Sequence, residues 1–207
     1  MPHKTETLYA AGFVDSNVYI VTDEKTGSSL VVDPDFQYIK TEDIVSKYDV
    51  KLILLTHAHF DHIASAEKLR ELSGAKILIH ELDSDVLQNT ALNLSTAFGY
   101  SVAFKADECF KDGNIIQLGE TEIKVLHTPG HTKGSCCFIV GNDMISGDML
   151  FNYSIGRTDF PGGSVAQMRR SIKLLQELDT DYTVYPGHGE STTLFFEKEN
   201  NPYFYSI

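Results

Sequence analysis

The sequence predicts a mixed α/β fold in which strands are sandwiched between helices. Apolar, β-branched runs fall into two blocks along the chain, and each block is followed by segments of helical periodicity. Glycine, proline, asparagine and aspartate gather between the runs, where turns belong. With 207 residues the chain can bury a sizeable core without staples, and residues 1–207 are expected to form a single domain with no separate C-terminal substrate domain.

The elements follow in order. Residues 17–21 and 29–33 are β-branched runs joined by Asp23-Glu24-Lys25-Thr26-Gly27, a turn composition. Asp33-Pro34-Asp35 stops the second run. A short helix is expected over 42–48, and a strand over 51–56. Ile63, Ala66, Leu69 and Leu72 then recur at helical spacing, with Gly74 as a natural C-terminal cap. A strand over 76–79 and a short helix over 82–87 come next. Residues 88–99, rich in Asn, Ser and Thr, read as an ordinary surface excursion ahead of a loop over a site.

The second block comprises 115–118, 121–126, 135–140 and 143–145. Ser164-Val165-Ala166-Gln167 has the form of a capping box, and Val165, Met168, Ile172, Leu175 and Leu178 share one face of the helix it opens. A last strand over 181–185 leads into Pro186-Gly187-His188-Gly189. The aromatic tail, 195–205, reads as a docked terminal segment ahead of a pocket wall or dimer contact.

Composition narrows the function. Hydrophobic residues make up 42% and charged residues 22%, ordinary for a globular protein. The net charge is −12 and the one basic pair, Arg169-Arg170, sits in the expected helix, so nucleic acid is not an expected partner. Three cysteines, two of them adjacent, make a poor disulfide framework and fit a reducing compartment. Cys136 and Cys137 lie in an apolar run and read as buried structural thiols. The segment beginning Met1-Pro2-His3 has no apolar leader, and no run reaches membrane-spanning length. A cytoplasmic protein acting on a small molecule, without a membrane partner, is the expectation.

Chemistry is concentrated in His57-Ala58-His59-Phe60-Asp61-His62, directly after the apolar run Leu52-Ile53-Leu54-Leu55. Imidazole and carboxylate bind zinc, iron and manganese. A strand feeding a loop can aim these groups at one point, whereas a helix would set His57 and His59 about 200° apart. Three more ligand types sit in glycine turns at the ends of expected strands: His131 in Thr128-Pro129-Gly130-His131-Thr132, Asp148 in Ser146-Gly147-Asp148, and His188. Seven donors exceed what one tetrahedral ion takes, but suit two ions sharing a carboxylate. The expected cofactor is therefore two divalent metal ions, zinc first, with iron and manganese also compatible. The expected chemistry is hydrolysis.

The motifs T-H-A-H-F-D-H, T-P-G-H-T, G-D and G-H-G together resemble the metallo-β-lactamase superfamily over essentially the whole chain. The short form and Ile155-Gly156-Arg157-Thr158-Asp159-Phe160-Pro161-Gly162-Gly163 resemble its glyoxalase II-like branch, the hydroxyacylglutathione hydrolase relatives. The resemblance implies a four-layer αββα sandwich of two mixed sheets flanked by helices. It implies that His57, His59 and His131 hold one metal, that Asp61, His62 and His188 hold the other, and that Asp148 bridges them. Asp61 is also the expected catalytic residue. Asp33 has two open roles: orienting a ligand imidazole, or forming the turn before Pro34. His3, His80 and His127 fall outside the pattern and read as structural or solvated.

The implied reaction is attack of a metal-bridging hydroxide on a thioester such as S-lactoylglutathione, the partner being glutathione or another thiol conjugate. A thiol near pKa 8.5 leaves without a strong acid. Arg157 is a candidate substrate contact, equally readable as an ion pair with Asp159. Glyoxalase II proper carries a further helical region for glutathione; no such region is expected here, where a short aromatic tail follows His188. Exported β-lactamases commonly place Cys where Asp148 stands, so β-lactam cleavage is not expected. A persulfide dioxygenase with one iron on His57, His131 and Asp148 is the alternative enzyme, and the Gly187-His188-Gly189 turn argues for the hydrolases. A metal-binding interaction protein without catalysis is the alternative of another class, opposed by seven competent donor positions. A nuclease conflicts with the charge.

Overall fold

Alternation along the strands sorts the apolar side chains into three separate cores. In the first sheet Val18, Ile20, Val31, Ile53, Ile77 and Ile79 point one way. Tyr19, Val21, Leu30, Val32, Leu54 and Leu78 point the other. Successive strand residues face opposite sides, so a sheet buried on both faces must be apolar at every position. The computed structural model describes residues 3–10, 15–35 and 40–205; Met1 and Pro2 of the N-terminal reading lie outside them.

The first sheet holds β1 (His3–Ala10), β2 (Ser16–Asp23), β3 (Ser28–Val32), β4 (Asp49–Leu54), β5 (Lys76–His80) and β6 (Glu108–Phe110), in that order. The β1–β2–β3 meander is antiparallel, and β3 to β6 pair in parallel. The second sheet begins with β7 (Ile115–Leu118), β8 (Thr121–His127), β9 (Cys136–Val140) and β10 (Asp143–Gly147). A two-stranded ribbon, β11 (Leu150–Phe151) and β12 (Ser154–Ile155), follows. Then β13 (Thr183–Pro186) and β14 (Thr192–Thr193) complete the second sheet in the order β14-β13-β10-β9-β8-β7.

The helices are α1 (Thr41–Lys47), α2 (Phe60–Ile63), α3 (Ala66–Ser73), α4 (Ser84–Leu87), α5 (Val165–Gln176), α6 (Leu194–Asn200) and α7 (Pro202–Tyr205). Ile44, Ile63, Leu69 and Leu87 close the outer core of the first sheet. Ile123, Val125, Phe138 and Ile145 of the second sheet meet Phe110 and the other inward residues of the first between the two sheets. Met168, Ile172, Leu175, Leu194 and Phe204 close the outer face of the second. The result is the metallo-β-lactamase fold, with two mixed sheets between helical layers.

Local chemistry accounts for the ends. Gly74 ends α3 in the left-handed region at φ 73°, and its N–H donates to Arg70 O at 2.8 Å. The Ser164 hydroxyl caps α5 by accepting from the Gln167 N–H. Cys136 faces the inter-sheet core and Cys137 the helical layer, so neighbouring thiols lie on opposite faces. Burial pushes the Cys136 thiol well up and that of Cys137 to about 12, which leaves both inert. His80 is buried and stacks on His127 at 4.2 Å, and His3 meets Asp143 at 3.1 Å.

Several elements escape periodicity. The strands β1, β6, β11, β12 and β14 are polar or only two or three residues long, and pairing partners define them. The aromatic tail docks as α6 and α7, burying Leu194 and Phe204.

Candidate metal centre

Strand pairing brings the candidate ligands to one rim. The register of β3 against β4 matches Val32 with Leu54, so Asp33 and the His57–His62 loop leave side by side. The β10–β13 pairing matches Gly147 with Pro186, so Asp148 and His188 leave together from the other sheet. Cys136 N–H donates to Thr56 O at 3.0 Å, and Asn17 Nδ2 donates to Pro186 O at 3.0 Å, stitching the sheets at this rim. Gly187 permits the close approach: a Cβ there would lie 2.2 Å from Asp148 Oδ1.

All seven residues converge, in two groups. His57, His59 and His131 form one, and Asp61, His62 and His188 form another; within each group the donor atoms lie within 4.8 Å of one another. His59 Nδ1 and His131 Nε2 face each other at 2.8 Å. Asp148 lies between the groups, with Oδ2 3.3 Å from His131 Nε2 and Oδ1 3.4 Å from His62 Nε2 and 3.5 Å from His188 Nε2. Asp61 Oδ2 is 3.4 Å from His188 Nε2 and 3.6 Å from His62 Nε2.

The opposite ring nitrogens are held from behind. His62 Nδ1 meets Asp33 Oδ2 at 2.9 Å, His131 Nδ1 donates to the Arg157 carbonyl at 2.7 Å, and His188 Nδ1 donates to the Asp15 carbonyl at 2.8 Å. Asp33 also groups with His57 and His62, but its oxygens already accept the Thr56 N–H at 2.7 Å and the Thr56 hydroxyl at 2.6 Å. It sits at φ 52°, a turn conformation, so the same residue turns the chain and holds an imidazole.

Electrostatics divides the cluster. Burial, reinforced by neighbouring imidazoles, holds His57 well below the ordinary histidine range and His59 at about 3. Burial would lower His62 and His188 too. The carboxylates of Asp61, Asp148 and Asp33 outweigh it at His62, and the facing carboxylates of Asp148 and Asp61 raise His188 to about 10. Burial opposes ionisation of Asp61 and Asp148, yet the facing histidines hold both carboxyls below the usual range.

The donor set fits divalent metal ions. Nε2 of His57, Nε2 of His62 and Oδ1 of Asp148 are buried without a hydrogen-bond partner, a costly state that coordination would relieve. A cavity of about 410 Å³ opens onto the cluster and is lined by Leu94, Phe98, Phe151 and Phe160, among others. The 88–99 segment is therefore a wall of this cavity, which corrects its reading as an ordinary surface excursion: two apolar side chains inside a polar stretch give no periodic signal. Arg157 lines the same cavity with its guanidinium bidentate on Asp159, at 2.7 Å for both contacts, and over the Phe160 ring at 4.0 Å.

Asp83, which no sequence pattern singles out, is wholly buried behind the cluster. It accepts from Ala58 N–H at 3.1 Å, Thr132 Oγ1 at 2.7 Å and Gly134 N–H at 2.8 Å. Its stretch, 82–87, reads as a short polar helix.

Comparison with known proteins agrees with this geometry. The family model for the metallo-beta-lactamase superfamily matches residues 11–188. An uncharacterized protein of Aquifex aeolicus (strain VF5) is 35% identical over 196 residues, 93% of each chain. Hydroxyacylglutathione hydrolase GloC of Haemophilus influenzae is 32% identical over 209 residues, 97% of this chain and 98% of its own. The structure of the BLEG-1 B3 metallo-beta-lactamase superposes with a TM-score of 0.87 at 29% identity, covering 97% of this chain and 99% of that one. That of TTHA1623 in a di-iron-bound form gives 0.84 at 30% identity, covering 96% and 99%. That of ETHE1 from Myxococcus xanthus gives 0.78 at 26% identity, covering 96% and 83%. Among the described residues no helix is long and apolar enough to cross a membrane. The rim of histidines and aspartates, the fold and these likenesses have one reading: the chain belongs to the metallo-β-lactamase superfamily of metal-dependent hydrolases.

Proposed function

We propose that this protein is a dinuclear metal hydrolase that cleaves a thioester, with S-lactoylglutathione as the reference compound. The observation that carries the reading is the pair of donor groups flanking Asp148 on the floor of an open cavity. His57, His59 and His131 would hold one ion, Asp61, His62 and His188 the other, and Asp148 would serve both. Bound there, two divalent ions would supply hydroxide near neutral pH and polarise the carbonyl. Asp33 and the carbonyls of Arg157 and Asp15 fix the ring orientations of His62, His131 and His188. Water adds across the C–S bond, giving a carboxylate, a thiol and a proton, and the low pKa of a thiol removes the need for a side-chain acid.

The likeness to GloC supports this choice of substrate class. Zinc is the first metal to test, and the di-iron form of TTHA1623 makes iron the second. The partner is a small thiol conjugate, without nucleic acid or membrane, in the cytoplasm. The likeness to ETHE1 favours a second reading, persulfide dioxygenation at one iron on His57, His131 and Asp148. It leaves the buried group of Asp61, His62 and His188 without a role.

Metal analysis with a substrate panel decides. The expected result is two metal ions per chain and metal-dependent cleavage of S-lactoylglutathione or another thioester. One iron per chain with oxygen consumption on glutathione persulfide would overturn it. So would cleavage of a β-lactam without any thioester, an arm that the likeness to BLEG-1 requires. Metal binding with no turnover of any compound would favour the interaction protein.

A further inference from the structure

One wall of the cavity, formed by Leu94 and Phe98, is built rather than incidental. Leu94, only 8% exposed, is held in the left-handed region at φ 68°, a conformation a leucine adopts at a cost. Its neighbour Asn93 is fully buried and pins the turn: Oδ1 accepts the Ser95 N–H at 3.0 Å and Nδ2 donates to Val102 O at 2.7 Å. The Asn93 carbonyl accepts the Phe60 N–H at 3.0 Å, fastening this segment to the loop between His59 and Asp61. The Phe60 ring is buried beneath two aromatic rings of the same segment, stacking on Phe98 at 4.6 Å and on Tyr100 at 5.6 Å. Phe98 nevertheless stays 40% exposed where it lines the cavity.

The charged lining of the cavity comes from other residues. Arg157 is its one cationic side chain among the described lining residues apart from the histidines, and Asp159 neutralises it. Past Ile155 and Arg157 the cavity adjoins a second hollow of about 530 Å³, which Arg169 also lines. The larger, charged thiol half of a thioester belongs on that side. The acyl half is then left against Leu94 and Phe98. A polar or anionic acyl group would lose water there with no side-chain partner, whereas a hydrocarbon one gains about 25 cal/mol for each Å² it buries.

We infer that Leu94 and Phe98, backed by Phe60, form an acyl-binding wall, and that the preferred substrates are thioesters of apolar, alkyl or aryl, carboxylic acids. This rests on the thioester reading above.

The test compares S-lactoyl-, S-hexanoyl- and S-phenylacetyl-glutathione with the metal-loaded protein and its Phe98→Ser variant, alongside calorimetric binding of phenylacetate and lactate to both. The wild-type kcat/KM should favour the hexanoyl and phenylacetyl compounds over lactoyl by at least about 10-fold, the scale a hydrophobic pocket supplies per small apolar increment. Phe98→Ser should bring that ratio down to within about 3-fold, and phenylacetate should lose its advantage over lactate. If Phe98→Ser does not fold, Phe98→Leu should show the same trend at smaller amplitude. Thioester cleavage with no acyl preference, or a preference unchanged in the variants, overturns the wall and leaves the hydrolase reading standing. Phe98-dependent binding of phenylacetate with no thioester cleaved overturns the hydrolase reading and leaves the wall standing. No cleavage together with equal binding of phenylacetate and lactate sinks both.

Discussion

Asp83 carries more of the centre than its place in the chain suggests. Ala58 lies between His57 and His59, Thr132 follows His131, and one buried carboxylate bonds to both stretches. Burial raises its carboxyl above the usual range, while the three donors facing it favour the ionised form. Removing it strands buried N–H groups, so Asp83→Ala should cost roughly 3 kcal/mol in urea unfolding. It should also weaken metal retention by about 10–100-fold in competition with a chelator, since His57, His59 and His131 lose their common anchor. Unchanged retention in a folded variant would remove Asp83 from the centre. Asp61 acts more directly, through its contacts with His62 and His188. We expect Asp61→Ala to lower turnover by at least about 100-fold, beyond what an outer residue of a metal site costs; an unchanged rate would refute its role.

At the scale of elements, the turn joining β2 to β3 has its own electrostatic anchor. Asp23 accepts from Thr26 N–H at 2.8 Å, Thr26 Oγ1 at 2.7 Å and Thr121 Oγ1 at 2.7 Å, tying the first sheet to the β7–β8 turn of the second. These bonds, that of Thr121 foremost, hold its carboxyl well below the usual range. The folded state thus releases this proton at lower pH than the unfolded chain. The resulting stability is present above the ordinary carboxylate range, about 3.9, and is lost as pH falls toward the folded value. Asp23→Asn should therefore be less stable than the parent at neutral pH, with the gap narrowing on acidification in denaturant titrations. A gap independent of pH would show that hydrogen-bond geometry, not charge, sets its contribution. The 88–100 segment is the element whose role periodicity misreads, because its stability comes from Asn93 and from stacking on Phe60 rather than from an apolar face of its own.

For the whole molecule, metal binding is expected to stabilise the fold. Four of the imidazoles and the Asp148 carboxylate are almost wholly withdrawn from water where the sheets meet. A metal that binds only the folded protein at about 100 times its dissociation constant stabilises it by about 2.7 kcal/mol. Chelation should then lower the unfolding midpoint by about 5–10 °C, restored by adding metal back; an unmoved midpoint would argue that the centre is not loaded. Apart from the polar β1, the longer strands were legible, as were α5 with its serine cap and the turns that carry the candidate ligands, because each is encoded by neighbouring residues. Strand β6, the anchoring contacts of Asp83 and the cavity face of Leu94 were not, because their partners lie far along the chain, and β14 was not, because two residues carry no periodicity. The candidate donors were legible in local order: residues 57–62 and the turns around His131, Asp148 and His188 carry their chemistry as neighbours. Only the tertiary structure brought Asp148 to within 3.3–3.5 Å of His131, His62 and His188, and set Leu94 and Phe98 on the cavity wall. Each of these depends on through-space distance between segments tens of residues apart, which strand register sets and local sequence does not express.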